Sequence, residues 1–415
     1  MAVSAARRWK PILSAYFQRH STLVGCSILH VVNDGYVAAV YPLLPFIADP
    51  RDGFDLDYAQ VAVVKSAISG VMSFAQLPTG LLAERVGERL VLGAGSAWLT
   101  LGFLSMGLAV GFWQLAVLAG VAGLGGSAQH PVASSLVSRA YEHSGRATAI
   151  GTLNFAGDVG KALMPLLGGM LVVAFGWRAA MVVMGLVGLP LVALFFVLQR
   201  AVGAAGPATG VGEPGQAAGG NGWGILHWPK FTALISVGVL DSAVRGSVLT
   251  LLPFLARAKG LDAPATGLLF TVIFVSGAIG KFGCGPLGDR FGSVAVIVAT
   301  ETVTAAAVLA LLPSDAFWLF PLALAFGFVL NGTSSVLYAT VADLVSAERR
   351  SRGYGLYYTF TLGSSALSPV LYGAVADRTD LATAFALAAG TAALTVPLAP
   401  LLRHTWMMRN IGANG

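Results

Sequence analysis

The chain has 415 residues, of which 56% are hydrophobic and only 11% are charged, against about 25% charged in an ordinary soluble domain. A soluble fold cannot hide that much apolar surface, and the apolar runs reach the roughly 20 residues that cross a bilayer; a transmembrane barrel is excluded because its strands are shorter and alternate in polarity. The net charge of +6 is no nucleic-acid signal, since of 25 Lys and Arg, 16 fall in stretches assigned below to the cytoplasm, 5 in outer loops and 4 within spans, the asymmetry of the positive-inside rule.

Residues 1–22 form an N-terminal cytoplasmic segment carrying Arg7, Arg8, Lys10 and Arg19. The apolar run that follows is span-length, so no cleavable signal is read here. A first bundle, 23–199, holds candidate spans at 23–47, 58–83, 90–110, 114–138, 146–172 and 178–199. A cytoplasmic linker follows at 200–230, rich in Gly and Ala and containing Pro207 and Pro214, a flexible composition. The second bundle, 231–402, holds spans at 231–256, 264–284, 294–312, 316–341, 353–375 and 381–402, and 403–415 is a cytoplasmic tail. The even count places both termini in the cytoplasm. Cys26 and Cys284 lie in apolar runs, so no disulfide framework is implied.

The two bundles repeat one another. Gly80-Leu-Leu-Ala-Glu84-Arg85-Val-Gly87 recurs 205 positions later as Gly285-Pro-Leu-Gly-Asp289-Arg290-Phe-Gly292. Leu43-Leu-Pro45-Phe-Ile-Ala48 ends span one, and Leu251-Leu-Pro253-Phe-Leu-Ala256 ends span seven. Arg146 and Pro165 match Arg350 and Pro369 at an offset of 204. The fold class expected is therefore an all-α polytopic membrane protein, twelve transmembrane helices in two six-helix pseudo-symmetric bundles. Parallel repeats of this kind rock about a central site near the midplane.

A charge at the bilayer centre costs roughly 3 kcal/mol on insertion scales, so ionisable residues inside spans are functional candidates. Asp34 lies near the middle of span one with His30 one turn earlier on the same face; the pair could hold or relay a proton, or Asp34 could serve helix packing. Asp158 and Lys161 sit three residues apart in span five. Their counterparts in the second half are Leu362 and Ser365, so the repeated scaffold does not demand the charges. Asp241 and Arg245 form an i, i+4 pair in span seven. Arginine stays charged and offers a planar fork suited to an anion. Proton coupling is thus expected of Asp34, His30, Asp158 and Asp241, and substrate contact of Arg245, Lys161, Asn33, His130, Lys65, Asn331, Tyr357 and Tyr358. Lys65 could instead reach the headgroups, and the tyrosines that open span eleven could form an interfacial belt. Lys281 reads as a snorkelling lysine, and Glu301 as a pairing residue on a peripheral span. Glu84, Arg85, Arg139, Asp289, Arg290, Asp343 and Arg350 lie at cytoplasmic span ends, where ion pairs could gate a conformational change. A P-loop is missing, so ATP is not the direct energy source, and Cys/His spacing for zinc is missing too. Neither enzyme chemistry, a cofactor nor a metal is expected.

These features resemble the major facilitator superfamily over nearly the whole chain. Within it, the fosmidomycin-resistance-protein type is most similar, through His30-x-x-Asn33-Asp34 with Tyr41-Pro-Leu-Leu, Gly125-Gly-Ser-Ala-Gln-His130-Pro131, and Arg245 followed by Leu-Leu-Pro-Phe. The chain departs from the superfamily pattern at Glu84 and Glu88 in the first turn and at Met164 before Pro165, and the span-four arginine of drug–proton antiporters is absent. The resemblance implies a secondary active transporter of a small organic solute in the cell inner (plasma) membrane. Its partners are then that small-molecule substrate, protons and the lipid bilayer, with no nucleic acid, and it works as a monomer. The basic residues point to an anionic solute or drug. The resemblance implies export by proton antiport; proton symport into the cell and a non-transporting ligand sensor are the alternatives.

Overall fold

The computed structural model describes residues 2–142, 145–201, 223–346 and 350–402. The apolar runs become helices whose ends follow local signals. The first half contains α1 (Ala2–Ile47), α2 (Tyr58–Val86), α3 (Glu88–Gly107), α4 (Phe112–Gly126), α5 (Gln129–Ala140) and α6 (Arg146–Ala201). The second contains α7 (Trp228–Ala258), α8 (Ala263–Phe291), α9 (Ser293–Ala310), α10 (Leu319–Leu344), α11 (Arg350–Arg378) and α12 (Leu381–Leu398). Asp57 opens α2 with a capping box, accepting from the Gln60 amide while Gln60 accepts from its own, so two free N–H groups are satisfied at once. Asp262 and Asp380 cap α8 and α12 through the amides of Ala265 and Thr383.

Nine of these helices are long and apolar enough to cross a bilayer. One of them, α6, is two crossings, because Gly176 at φ +79° interrupts its helical geometry. α4 and α5, of 15 and 12 residues, are too short singly and make one crossing end to end. With α11, these account for twelve spans. Within the span expected over 114–138 the helical hydrogen bonding is interrupted at Ser127 and Ala128, whose backbone angles stay helical. Pro131 has no N–H to donate to the Ser127 carbonyl, and the Gly125-Gly126 pair before it weakens the helix further. The linker at 202–222 and the tail at 403–415 lie outside the described residues.

The repeated charged turn shows in the backbone. Gly87 (φ +108°) joins α2 to α3, and Gly292 (φ +87°) joins α8 to α9, a region where a side chain would be strained. Each half builds its own apolar core, Tyr36, Leu43, Phe103 and Met181 in the first and Leu252, Phe270, Phe326 and Phe385 in the second. Large apolar side chains also cover the outside, Phe74, Leu77, Phe175, Phe282 and Leu367 among them. A bilayer makes that surface favourable, whereas water would not.

The halves meet along two seams, α6 against α8 and α2 against α11. Small residues permit the approach. A Cβ on Gly169 would strike the backbone of Ala263, one on Gly267 that of Pro165, and one on Gly373 that of Tyr58. These contacts gather at the end of the bundle away from the linker, called the far end below. There Arg257 of α7 donates to Asp49 (2.6 Å) and to the Pro45 carbonyl (2.8 Å). Asp377 of α11 accepts from the backbone amides of Tyr58 (2.8 Å) and Ala59 (3.0 Å). One ion pair and one carboxylate–amide contact therefore close the far end across the halves.

Candidate functional site

The middle of α1 turns three polar side chains inward. His30, Asn33 and Asp34 are all buried. Asn33 donates to Asp34 Oδ1 (3.1 Å), and His30 Nε2 lies 3.3 Å from Asp34 Oδ2. From α6, Lys161 Nζ reaches Asp34 Oδ2 at 2.8 Å. From α5, His130 Nε2 lies 3.7 Å from Asp34 Oδ1, its ring edge-on to His30 with centroids 5.1 Å apart. Glycine makes this convergence possible. A Cβ on Gly157 would sit 2.7 Å from His30 Nε2 and 2.9 Å from Asp34 Oδ2, and one on Gly126 would sit 2.7 Å from Asn33 Oδ1. His30, Asp34 and His130 offer ligand atoms within 4.8 Å of one another, a grouping that linear spacing did not reveal. The Lys161 ammonium supplies positive charge beside Asp34.

Lys161 also lies 3.7 Å from Asp158, and Asp158 in turn binds the other half. Lys281 of α8 donates to both Asp158 oxygens, at 2.8 and 3.0 Å. The α6–α8 seam explains the reach. Gly169 meets Ala263 and Pro165 meets Gly267, and Thr271 donates to the Ala162 carbonyl. In that antiparallel register Asp158 would face Val275, but Lys281 lies six residues further on, about 9 Å along the axis. The lysine stem spans that offset along the seam. The expectation that Lys281 snorkels to the headgroups is corrected: its charge is held inside the molecule, across the seam.

In the second half Arg245 of α7 spends its fork on four acceptors. It donates to Asn331 Oδ1 (2.7 Å), Ser334 Oγ (2.6 Å), Asp241 Oδ2 (3.3 Å) and the Leu330 carbonyl. Glu301 of α9 lies behind Asp241, wholly buried. Tyr357 is 2% exposed and packs on Gly238, while Tyr358 is half-buried; the pair divides between inside and outside as their spacing requires. Tyr338, Tyr354, Tyr357 and Tyr358 form one aromatic group, with ring centroids 5.3 to 6.1 Å apart.

Lys65 is buried, not at the headgroups. It donates to Ser69 Oγ (2.5 Å) and sits over the Tyr41 ring (4.8 Å), which stacks on Phe270 of the other half. Of the span-end residues, Arg139 pairs with Glu88 within its own half, and Glu88 also accepts from Ser135 (2.6 Å). Glu84, Arg85, Asp289, Arg290 and Asp343 are exposed, with Arg290 over Phe291. The side chain of Arg350 lies outside the described residues.

Exposure divides the network by sign. His130, Lys161 and Lys281 expose 41, 34 and 40% of their side chains, but Asp34 and Asp241 only 4 and 6%. A solute reaching the site meets basic groups first, with acids behind them. Lys161 of the first half and Lys281 of the second both lie on Asp158, so the two halves contribute to one positive face. Sequence reasoning found most of this set but undervalued Lys281 and Glu301. Both carried the signal of an ionisable group within a span, yet their places on those spans suggested bland roles.

Comparison with known proteins gives the same architecture. A family model described as Major Facilitator Superfamily matches residues 25–240 and 234–406. An MFS-type efflux pump of Mycolicibacterium smegmatis is 28% identical over 356 residues, covering 80% of this chain and 80% of that protein. The Fosmidomycin resistance protein of Escherichia coli is 23% identical over 379 residues, 88% of each. The Hexuronate transporter of Bacillus subtilis is 23% identical over 368 residues, 84% of this chain and 86% of that protein. Among solved structures, a bacterial homolog of the human lysosomal transporter Spinster, inward-facing and occupied, superposes with TM-score 0.74 at 17% identity, covering 94% of this chain and 97% of that one. The nucleoside transporter NupG superposes with TM-score 0.75 at 12% identity, covering 92% and 99%.

Proposed function

The chain belongs to the Major Facilitator Superfamily and is a multi-pass membrane transporter rather than an enzyme, and from that premise we propose that it moves a small anionic organic solute by proton-coupled alternating access. The observation that carries this reading is the division of the network by sign. Lys161, Lys281 and Arg245 present positive charge from both halves, with the His130 ring beside them, and the buried acids behind hold those cations until a solute anion competes for them. Because Lys281 and Asp158 belong to different halves, binding at this site acts on the joint between the halves. The positive-inside asymmetry supports a cytoplasmic linker end, and with it a closed far end corresponds to a site reached from inside. Opening the far end requires release of Arg257 from Asp49 and of Asp377 from α2. The linker-end groups Glu84, Arg85, Arg139, Asp289, Arg290, Asp343 and Arg350 then come together to close the other side. Lys65, Asn33, Asn331, Tyr357 and Tyr358 complete the wall around the solute.

Proton coupling falls to Asp34, with His30 and His130 as its relay, and to Asp158 and Asp241. Relatives named as an efflux pump and a resistance protein support export, which in a proton-coupled carrier is exchange for protons. The charge geometry supports a second reading. An anion that draws Lys161 away leaves the Asp34 carboxylate without a counter-charge in a dry site, and desolvation then favours its protonated form. Anion and proton would bind together, which is symport. Exchange requires instead a solute whose own cationic or donor group competes with the proton for Asp34 or Asp158.

Proteoliposomes holding the purified protein, supplied with labelled fosmidomycin or a hexuronate under an imposed pH gradient, test both readings. Accumulation with the proton flow supports symport, and accumulation against it supports exchange. If neither solute moves by carrier-mediated flux, with or without a gradient, the anion assignment fails.

A further inference from the structure

Glu301 has no place in the mechanism above. It is 0% exposed, on α9, and among the described residues no donor meets either of its carboxyl oxygens with hydrogen-bond geometry. Its neighbours are the Asp241 carboxyl on α7 and Thr395 on α12, and the Thr395 hydroxyl is already donated to the Ala392 carbonyl (2.6 Å). Two carboxyl groups thus face one another with no donor between them. Arg245 lies on the far side of Asp241; Tyr338 of α10 and Tyr357 of α11 are the other titratable groups near this acid.

A charge inventory of the network sharpens the point. Asp34 has Lys161, Asp158 has Lys281 and Asp241 has Arg245. Among the described residues no cation pairs with Glu301; Arg245 is engaged on Asp241. Carboxylates in contact in a dry interior cannot both stay ionised against a single positive charge, and a shared proton resolves the conflict by turning one oxygen into the missing donor. We propose that Asp241 and Glu301 form a second proton-binding site, holding one proton while Arg245 is engaged on Asp241 and taking a second when an anion draws Arg245 away. Arg245 is placed for that switch, since its remaining bonds run to Asn331, Ser334 and Leu330 on α10. The resting proton follows from the burial of the two acids and the missing donor, while the loading of the second rests on the transport reading.

Infrared difference spectroscopy on the full chain in lipid nanodiscs reads the proton directly, as the C=O stretch of an un-ionised carboxylic acid that shifts in heavy water. Wild type should keep such a band at mildly alkaline pH. Glu301→Gln should lose it, since Asp241 then pairs with Arg245 as a simple carboxylate. Asp241→Asn should keep it at a shifted frequency, because the proton stays with Glu301. Arg245→Leu should raise its intensity about twofold, both acids now being neutral. The proposal is overturned if wild type shows no such band, if the band is unchanged in both Glu301→Gln and Asp241→Asn, or if Arg245→Leu leaves its intensity at the wild-type level. Flux through the same variants is a separate readout. Transport without the band removes the proton pair alone, and the band without transport removes the transporter reading alone.

Discussion

Asp34 makes four polar contacts from four different residues, His30, Asn33, His130 and Lys161, and its burial makes each of them matter. Removing one member of a buried ion pair leaves the other charge uncompensated, at about 3–5 kcal/mol when fully buried. Lys161 is a third exposed, so solvent screening reduces that figure. Lys161→Met should lower unfolding stability in detergent by about 1–3 kcal/mol. The double variant Asp34→Asn with Lys161→Met should recover most of the loss, a coupling that thermal unfolding of the four proteins would measure. Equal and additive losses would mean the pair is not coupled. The i, i+4 spacing made His30 and Asp34 legible in the sequence, as it did Asp241 and Arg245. Lys281 was not legible, because its partner lies on a helix of the other half and only the α6–α8 register brings them together. Glu301 was hidden in the same way: nothing in span nine announces that Asp241 lies opposite.

At the level of the helices, the repeat read from the sequence reappears as conformation, with Gly87 and Gly292 both at positive φ at the end of equivalent helices. The interruption between α4 and α5 is signalled in the sequence only by Pro131, which leaves a backbone carbonyl open; hydropathy runs straight through it. The seams were also beyond the sequence, since Gly169, Gly267 and Gly373 lie among many other glycines and only packing shows which ones face another backbone. Gly267→Leu places a side chain where the Pro165 carbonyl already stands. Overpacking of this kind costs typically about 1–3 kcal/mol. The variant should unfold at lower temperature and show increased labelling of a cysteine introduced at Thr271 on the same seam. Unchanged melting and labelling would show that the seam does not set how the halves approach.

For the molecule as a whole, twelve spans in two halves could be read from composition and repeat alone, but which end is closed could not, because that depends on contacts between halves. The far-end latch has a definite pH behaviour. The Arg51 backbone amide, followed by the Arg257 guanidinium, holds the Asp49 carboxyl below its ordinary range. A depressed carboxylate contributes above its unfolded value and loses that contribution only as pH falls through its folded value. Between neutral pH and the ordinary carboxylate range the latch should therefore stay shut, leaving proton sensing to the buried network. A cysteine introduced at Phe46, beside Arg257, should label at a constant low rate across that window, and Arg257→Gln should raise the rate severalfold throughout. Labelling that climbs steadily with acidification in the wild-type background would place the sensor at the latch instead. The most direct test of the account is solute flux through wild type and Asp34→Asn in proteoliposomes, as counterflow and under a pH gradient. The account predicts that the variant still exchanges solute but no longer accumulates it in response to the gradient; gradient-driven accumulation at the wild-type level in Asp34→Asn would contradict it.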